Sequence, residues 1–336
     1  MSAVTTPNRG SPGAPATGSS PRVPVEIPTL LVILADYGGW LAITALYTRW
    51  PLFLVAPIAA VLVTLHSSLQ HEIVHGHPTR WLSVNRLFAL VPLSLWLPYE
   101  RYHHTHRMHH IDPRLTDPLD DPESYYWRPE DWARLGPVSR FFHEIQQTLA
   151  GRVVIGSFWR IGMFLRDEVL ALLHREKRIL VRNDQNLPRV WLEHLLWCVP
   201  VIVWLKVVCG MPLSVYFVAV VVPANGMLLI RAFAEHRARP GVRERIALVE
   251  GSWLLGPLFL FNNLHSLHHE APKIPWYRYN AHYRVHRERL IAENGGLVYR
   301  TYFDVARRFL FRRYDVLPHP TGRVPPAPER QLSRAA

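Results

Sequence analysis

The sequence predicts an all-α integral membrane fold: four transmembrane helices arranged as two hairpins, further interfacial or half-inserted helices, and a cytoplasmic helical cap. Three observations predict it. Hydrophobic residues make up 49% of the chain and charged residues only 19%, a balance that suits a membrane protein with sizeable polar segments. Four apolar runs, each near the roughly 20 residues that cross a bilayer, come in two closely spaced pairs, 29–47 with 52–70 and 190–208 with 213–235. Histidine-rich segments recur close to where these pairs end.

Taken in order, residues 1–28 are rich in Pro, Ser, Thr and Gly without hydrophobic periodicity, and are expected to be a disordered tail. They lack the basic start and short apolar core of a cleavable signal. Thr29 to Tyr47 is apolar apart from Asp36, and Arg49-Trp50-Pro51 makes a tight connection to the second run. That run continues through Ser67, Ser68 and Gln70 to His71 and His75, returned by the hairpin to the side where the chain began. Trp81 to Pro98 is clearly apolar only from Leu87 onward. A full crossing there would put the next histidines on the opposite face, so the segment is expected to be half-inserted or interfacial.

Residues 99–189 are polar and hold 14 Arg or Lys. Within them Ile155 to Leu173 spaces apolar residues helically, as a helix along the membrane surface would. The acidic, proline-rich run Asp112 to Glu123 reads as a loop, with a docking site for an electron donor as the lesser reading. The second hairpin turns at Cys209-Gly210-Met211-Pro212 and delivers Glu235-His236 to the same side as the first. Ile246 to Phe261 is too short to span and is expected to dip. Residues 271–336 hold 13 Arg or Lys against 5 Asp or Glu, a basic face for anionic head groups or solvent. The division expected is a tail at 1–28, a membrane domain at 29–285 and a basic cytoplasmic segment at 286–336.

Charge sets the expected orientation. The two hairpin turns carry one Arg and one Lys, and the histidine-bearing loops carry most of the rest. Because Lys and Arg concentrate in cytoplasmic loops, the histidines and both termini should face the cytoplasm. The net charge of +12 is explained this way, and no nucleic-acid-binding module accompanies it. The large excess of Arg over Lys hints at a GC-rich bacterial genome, and the expected location is a bacterial cytoplasmic membrane. Two cysteines, Cys198 and Cys209, lie in or beside an apolar run, which argues against a disulfide framework or a Cys-ligated zinc.

On a helix, His106, His109 and His110 stand at i, i+3 and i+4 and share one face. The same H-x-x-H-H spacing returns at His265, His268 and His269, and His71 with His75 form an i, i+4 pair. Eight imidazoles are too many for one zinc and suit two metals. His66, His143, His174, His194, His282, His286 and His319 lie outside the three boxes and read as packing or surface residues. His77, His103 and His104 sit beside the boxes and read as supporting or solvent-facing. His71-Glu72-Ile73-Val74-His75 also matches the H-E-x-x-H of zinc proteases, a reading that leaves the two H-x-x-H-H boxes unexplained. A histidine-rich carrier would place its ligands within the crossings, whereas these lie at helix ends.

These three boxes, on one side of two helical hairpins, resemble the membrane fatty acid desaturase superfamily of non-haem di-iron enzymes over roughly residues 30–285. The resemblance implies a ninth ligand at the end of the fourth crossing, where His236 stands. It also implies a metal-bound water held by an asparagine, for which Asn225, Asn262 and Asn263 are open candidates. It implies two irons, O2 as co-substrate and the introduction of a double bond into a fatty-acyl chain or related lipid, with desaturation or hydroxylation of a small metabolite, or hydroxylation of a carotenoid or alkyl chain, as alternatives. The chain shows no Cys-ligated cluster, no glycine-rich dinucleotide fingerprint and no H-P-G-G haem motif, so an external donor such as a ferredoxin is implied.

Overall fold

The computed structural model describes residues 25–173 and 185–320. The tail at 1–24, His174 and residues 321–336 lie outside the described residues. Among the described residues four helices are long and apolar enough to cross a membrane: Ile27–Ala45, Leu52–Val74, Leu187–Val208 and Leu213–Glu235. With 19, 23, 22 and 23 residues, they rise about 28 to 35 Å, the thickness of a bilayer core. The fold is an all-α integral membrane fold, and the protein is a multi-pass membrane protein.

α1 (Ile27–Ala45) begins two residues earlier than the apolar count suggests, because Pro28 fits the first turn of a helix, where no N–H is needed. α2 (Leu52–Val74) packs against it, with Leu62 at Gly39, and buries Ala56, Ala59 and Ala60 in a core shared by both hairpins, small residues that let backbones approach closely. The third crossing is α8 (Leu187–Val203) extended by a wider π turn, Trp204–Val208. The fourth is α9 (Leu213–Tyr216), a π turn at Phe217–Val221, and α10 (Val222–Glu235). Pro200 and Pro223 lie close to these π turns and cannot donate to a preceding carbonyl, which is a recognised cause of such loosening. The two hairpins are tied toward their turns: Trp40 donates its indole N–H to the Tyr216 hydroxyl at 2.9 Å, and Tyr216 donates to the Leu93 carbonyl at 2.8 Å. Leu34, Phe53, Ile58, Leu192, Leu196 and Val207 face outward and exposed. In a membrane protein that is the lipid-facing surface.

The short apolar segments do not span. α3 (Leu82–Leu90) has nine residues, about 13 Å. Ile246 to Phe261 resolves into a buried strand, β1 (Leu248–Val249), and a single turn, α11 (Leu255–Leu258). β1 pairs in parallel with β2 (Val298–Tyr299), so its first part dips into protein rather than lipid.

In the polar cap, α4 (Tyr99–His109) carries the second histidine box. It is anchored by Arg101, which donates to Glu168 at 2.7 Å in a buried pair. α5 (Pro129–Arg134) and α6 (Pro137–Ile145) lead into α7 (Leu149–Leu172), which starts six residues before the expected surface helix. α6 and α7 meet at 118°. The turn needs Gly151, where any side chain would collide with the Ile145 carbonyl. α12 (His265–Glu270) carries the third box and is followed by α13 (Tyr279–Glu293) and α14 (Tyr302–Phe309). The boundary expected between 285 and 286 falls inside α13. Beyond it Tyr299, Tyr302, Val305 and Tyr314 pack with Leu149, Phe233 and Phe259 in one core, because their aromatic faces are what covers the end of α10.

Candidate metal centre

Three helix ends and one helix exit converge. His71 lies in the last turn of α2 and His75 caps it. His106 and His109 lie in the last turn of α4 and His110 caps it. His265, His268 and His269 lie on α12. His236 follows α10 in extended conformation, φ −131° and ψ 146°, so its side chain leaves the helix direction. An antiparallel bridge to Ile246 fixes that exit.

The nine imidazoles form two groups able to hold a metal ion: His71, His75, His106, His110 and His268 in one, His109, His236, His265 and His269 in the other. Within each group the ligand atoms lie within 4.8 Å of one another. In the first group Nε2 of His106 is 3.2 Å from Nε2 of His75 and 3.0 Å from that of His110, which is 3.0 Å from that of His268. In the second, Nε2 of His236 is 2.9 Å from both His109 and His265, and His269 is 3.2 Å from His265. Among the described residues neither group includes a carboxylate or a thiolate.

The backs of the rings explain why the front nitrogens converge. His106 donates from Nδ1 to Glu123 at 2.8 Å, and His109 donates from Nδ1 to Asp121 at 2.9 Å. His265 donates from Nδ1 to Asn262 Oδ1 at 3.1 Å, and Nδ1 of His268 is 2.9 Å from the Tyr279 hydroxyl. A neutral imidazole that donates from Nδ1 presents a lone pair at Nε2. Lone pairs facing one another at about 3 Å repel. A cation between them reverses the sign, and first-row metals bind imidazole at about 2.0–2.1 Å, which spaces neighbouring ligands by about 3 Å. The residues fit a metal.

Electrostatics separates individual rings. His110 is pushed down to about 2 by burial and by His106 and His109 beside it. His75, His236, His265, His268 and His269 are held well below the usual histidine range, mainly by burial and then by charge repulsion from their neighbours. His109 goes the other way. Burial alone would lower it, but Glu123 and Asp121 raise it to about 9. Burial likewise opposes the Glu123 anion, yet His109 and His106 hold that carboxyl well below its usual range.

The structure brings together all nine histidines singled out from the sequence. Of the three asparagines, Asn262 touches the centre: besides His265, its Nδ2 lies 3.4 Å from His71 Nε2 and 3.4 Å from Glu235. Asn225 instead donates to the Ser157 carbonyl and Asn263 to the Val249 carbonyl. His77 pairs with Glu26 at 2.6 Å, His194 bonds the Leu95 carbonyl, and His66 faces Asp36 between α1 and α2. None of them joins either group. Asp121, Glu123 and Tyr279 were not legible as supports. Their only trace was that an acidic run follows the second box within reach of its rings, where carboxylate backing of metal-ligating histidine is common.

Two cavities adjoin the centre. A cleft of about 460 Å³ reaches His75 past Arg80, Arg86, Arg107, Lys273 and Arg278. A slot of about 120 Å³ between α2 and α10 is lined by apolar Val63, Trp96, Leu97, Leu228 and Leu229, by polar Ser67, Gln70, Asn225 and Arg231, and by Tyr102, whose ring packs on His106.

A family model described as fatty acid desaturase matches residues 48–303, well over half of the chain. No curated protein and no solved structure matches the sequence. The match covers all three histidine boxes and His236, and the chain belongs to the fatty acid desaturase family.

Proposed function

We propose that the protein is an O2-dependent desaturase that introduces a double bond into a fatty-acyl chain or related lipid. In this reading the nine imidazoles hold two irons, and electrons come from a separate donor such as a ferredoxin. The observation that carries it is the division of nine imidazoles into a group of five and a group of four around converging Nε2 atoms. When bound, the two irons supply O2 reduction and removal of hydrogen from an unactivated C–H bond. Converting O2 to two waters takes two hydrogens and their electrons from the substrate, with two electrons from the donor and two protons.

The chain's own residues do the rest. Glu123 and Asp121 fix the tautomers of His106 and His109, so that a lone pair and not a proton faces the metal. Burial of the rings limits water where a strong oxidant would form. The slot beside Tyr102 offers a hydrocarbon the apolar surfaces of Val63, Trp96, Leu97, Leu228 and Leu229, next to polar Gln70, Asn225 and Arg231. Cys198 and Cys209 are buried and not bonded to each other, in keeping with an external source of electrons. The scarcity of Lys and Arg in the hairpin turns supports placing the centre and both termini on the cytoplasmic side, in a bacterial cytoplasmic membrane. Zinc proteolysis is disfavoured because five imidazoles exceed what one zinc accepts.

The test is expression in a host of defined lipid composition, with mass spectrometry of extracts from wild type and His109→Ala. The expected product is two hydrogens lighter than its precursor and is absent with the variant. A gain of one oxygen would make the enzyme a hydroxylase. Identical lipids from wild type and variant would sink the acyl reading and direct the search to small metabolites.

A further inference from the structure

A separate cavity of about 160 Å³ is lined by Arg152, Arg160, Gln147, Trp127, Trp159 and Tyr125, among others, and the Tyr125 hydroxyl donates to the His236 carbonyl. None of the nine histidines lines it. Arg152 is 2% exposed. Its Nε donates to the Gln146 carbonyl at 2.8 Å, and its guanidinium lies over the Tyr125 ring at 4.9 Å. Arg160 has no hydrogen-bond or ion-pair partner among the described residues. Gln147 is buried, with its side-chain oxygen unbonded among the same residues. The one carboxylate on the cavity wall, Asp131, is taken by Arg128 at 2.7 Å. Glu123, the nearby acid, is bonded to His106.

Buried Arg152 and half-buried Arg160 therefore share one recess, and the acid whose charge reaches Arg160, Glu123, also serves His106 and His109. A buried charge left unpaired is costly, and a guanidinium fork matches carboxylate or phosphate oxygens. A carboxylate neutralises one such charge and offers one edge. A phosphate offers oxygens on several sides and suits two arginines that stand eight residues apart on α7. The surroundings also point to phosphate. Val138 and Phe141 on α6, and Val154 and Phe158 on α7, are exposed apolar residues of the two helices that supply His143, Arg152, Trp159 and Arg160 to the cavity, as expected of helices lying at a membrane surface, where phosphate is abundant.

We propose that this cavity is a binding site for a phosphate group, held by Arg152 and Arg160 with aromatic walls, supplied by a phospholipid head group or by free phosphate. It is independent of what the histidines hold. The full-length protein in mild detergent, stripped of lipid, is examined by native mass spectrometry with added phosphatidylglycerol, and separately titrated with inorganic phosphate while tryptophan fluorescence is followed. Replacing one charge-assisted contact should weaken binding about tenfold or more in Arg160→Gln, with partial recovery in Arg160→Lys. Loss of the lipid adduct alone assigns the lipid source, and loss of the fluorescence titration alone assigns free phosphate. If neither probe binds wild type, or Arg160→Gln binds both as wild type does, the proposal is overturned. Should the Gln variant fail to accumulate, Arg160→Lys decides: binding weakened several-fold supports the site, and unchanged binding overturns it.

Discussion

The two imidazole groups use one residue type but are braced differently. In the group of five, the firmest brace is Glu123 on His106, and Glu123 is half-buried. His71 lies 3.9 Å from the Glu72 carboxylate, and His268 meets the hydroxyl of Tyr279. In the group of four, His109 sits against fully buried Asp121, and His265 meets Asn262 at 3.1 Å with Glu235 at 3.4 Å. The smaller group thus has fewer donors and more tightly held negative charge behind them. Ligand count and backing charge compensate for one another, and variants should separate the two.

The largest expected effect follows from ligand count. Removing one ligand from four leaves three, whereas removing one from five leaves four. His109→Ala should lose about one iron per chain and reduce product at least about a hundredfold, within the range of a lost metal function. His75→Ala should keep more of its iron. Equal metal loss in both variants, read by elemental analysis, would break the comparison.

Backing charge comes next. Outer partners of metal-ligating histidines are worth about 10–100-fold in affinity or activity. Asp121→Asn should fall in that range, and Tyr279→Phe, which removes a neutral partner, should fall below it. Iron retention against a graded chelator measures both, and the reverse order would show that charge is not what Asp121 supplies.

The smallest expected effect is on pH dependence in metal-free protein. The folded-state value of His109, about 9, lies above the ordinary 6.5, so its protonated form contributes stability that is complete below about 6.5. That contribution is lost as pH rises through about 9. His110, at about 2, stays neutral across this window and adds nothing to it. The melting temperature of the metal-free chain should decline between pH 6.5 and 9, and decline less in Asp121→Asn. A flat profile in the wild type would contradict a proton on His109.

Much of the architecture was legible because it follows from short-range rules. Apolar run length marks crossings, and imidazole spacing on a helix marks shared faces, so His71, His75 and both H-x-x-H-H boxes could be read directly. His236 could not be read from spacing, since a lone histidine at a helix exit has no periodic partner. It came from the family resemblance. Asp121 and Glu123 act on histidines 12 and 17 positions earlier in the chain from a connection that is mostly loop, and loop conformation has no periodicity to read. Ile246 to Val249 looked like part of a membrane dip because a buried strand and a buried membrane segment are equally apolar. Asn262 could not be chosen over Asn225 and Asn263, since only tertiary contact sets it against His71 and His265.

The metal content of the purified full-length protein tests the central claim most directly. The account predicts two irons and negligible zinc per wild-type chain. A single zinc per chain, with no iron, would contradict it.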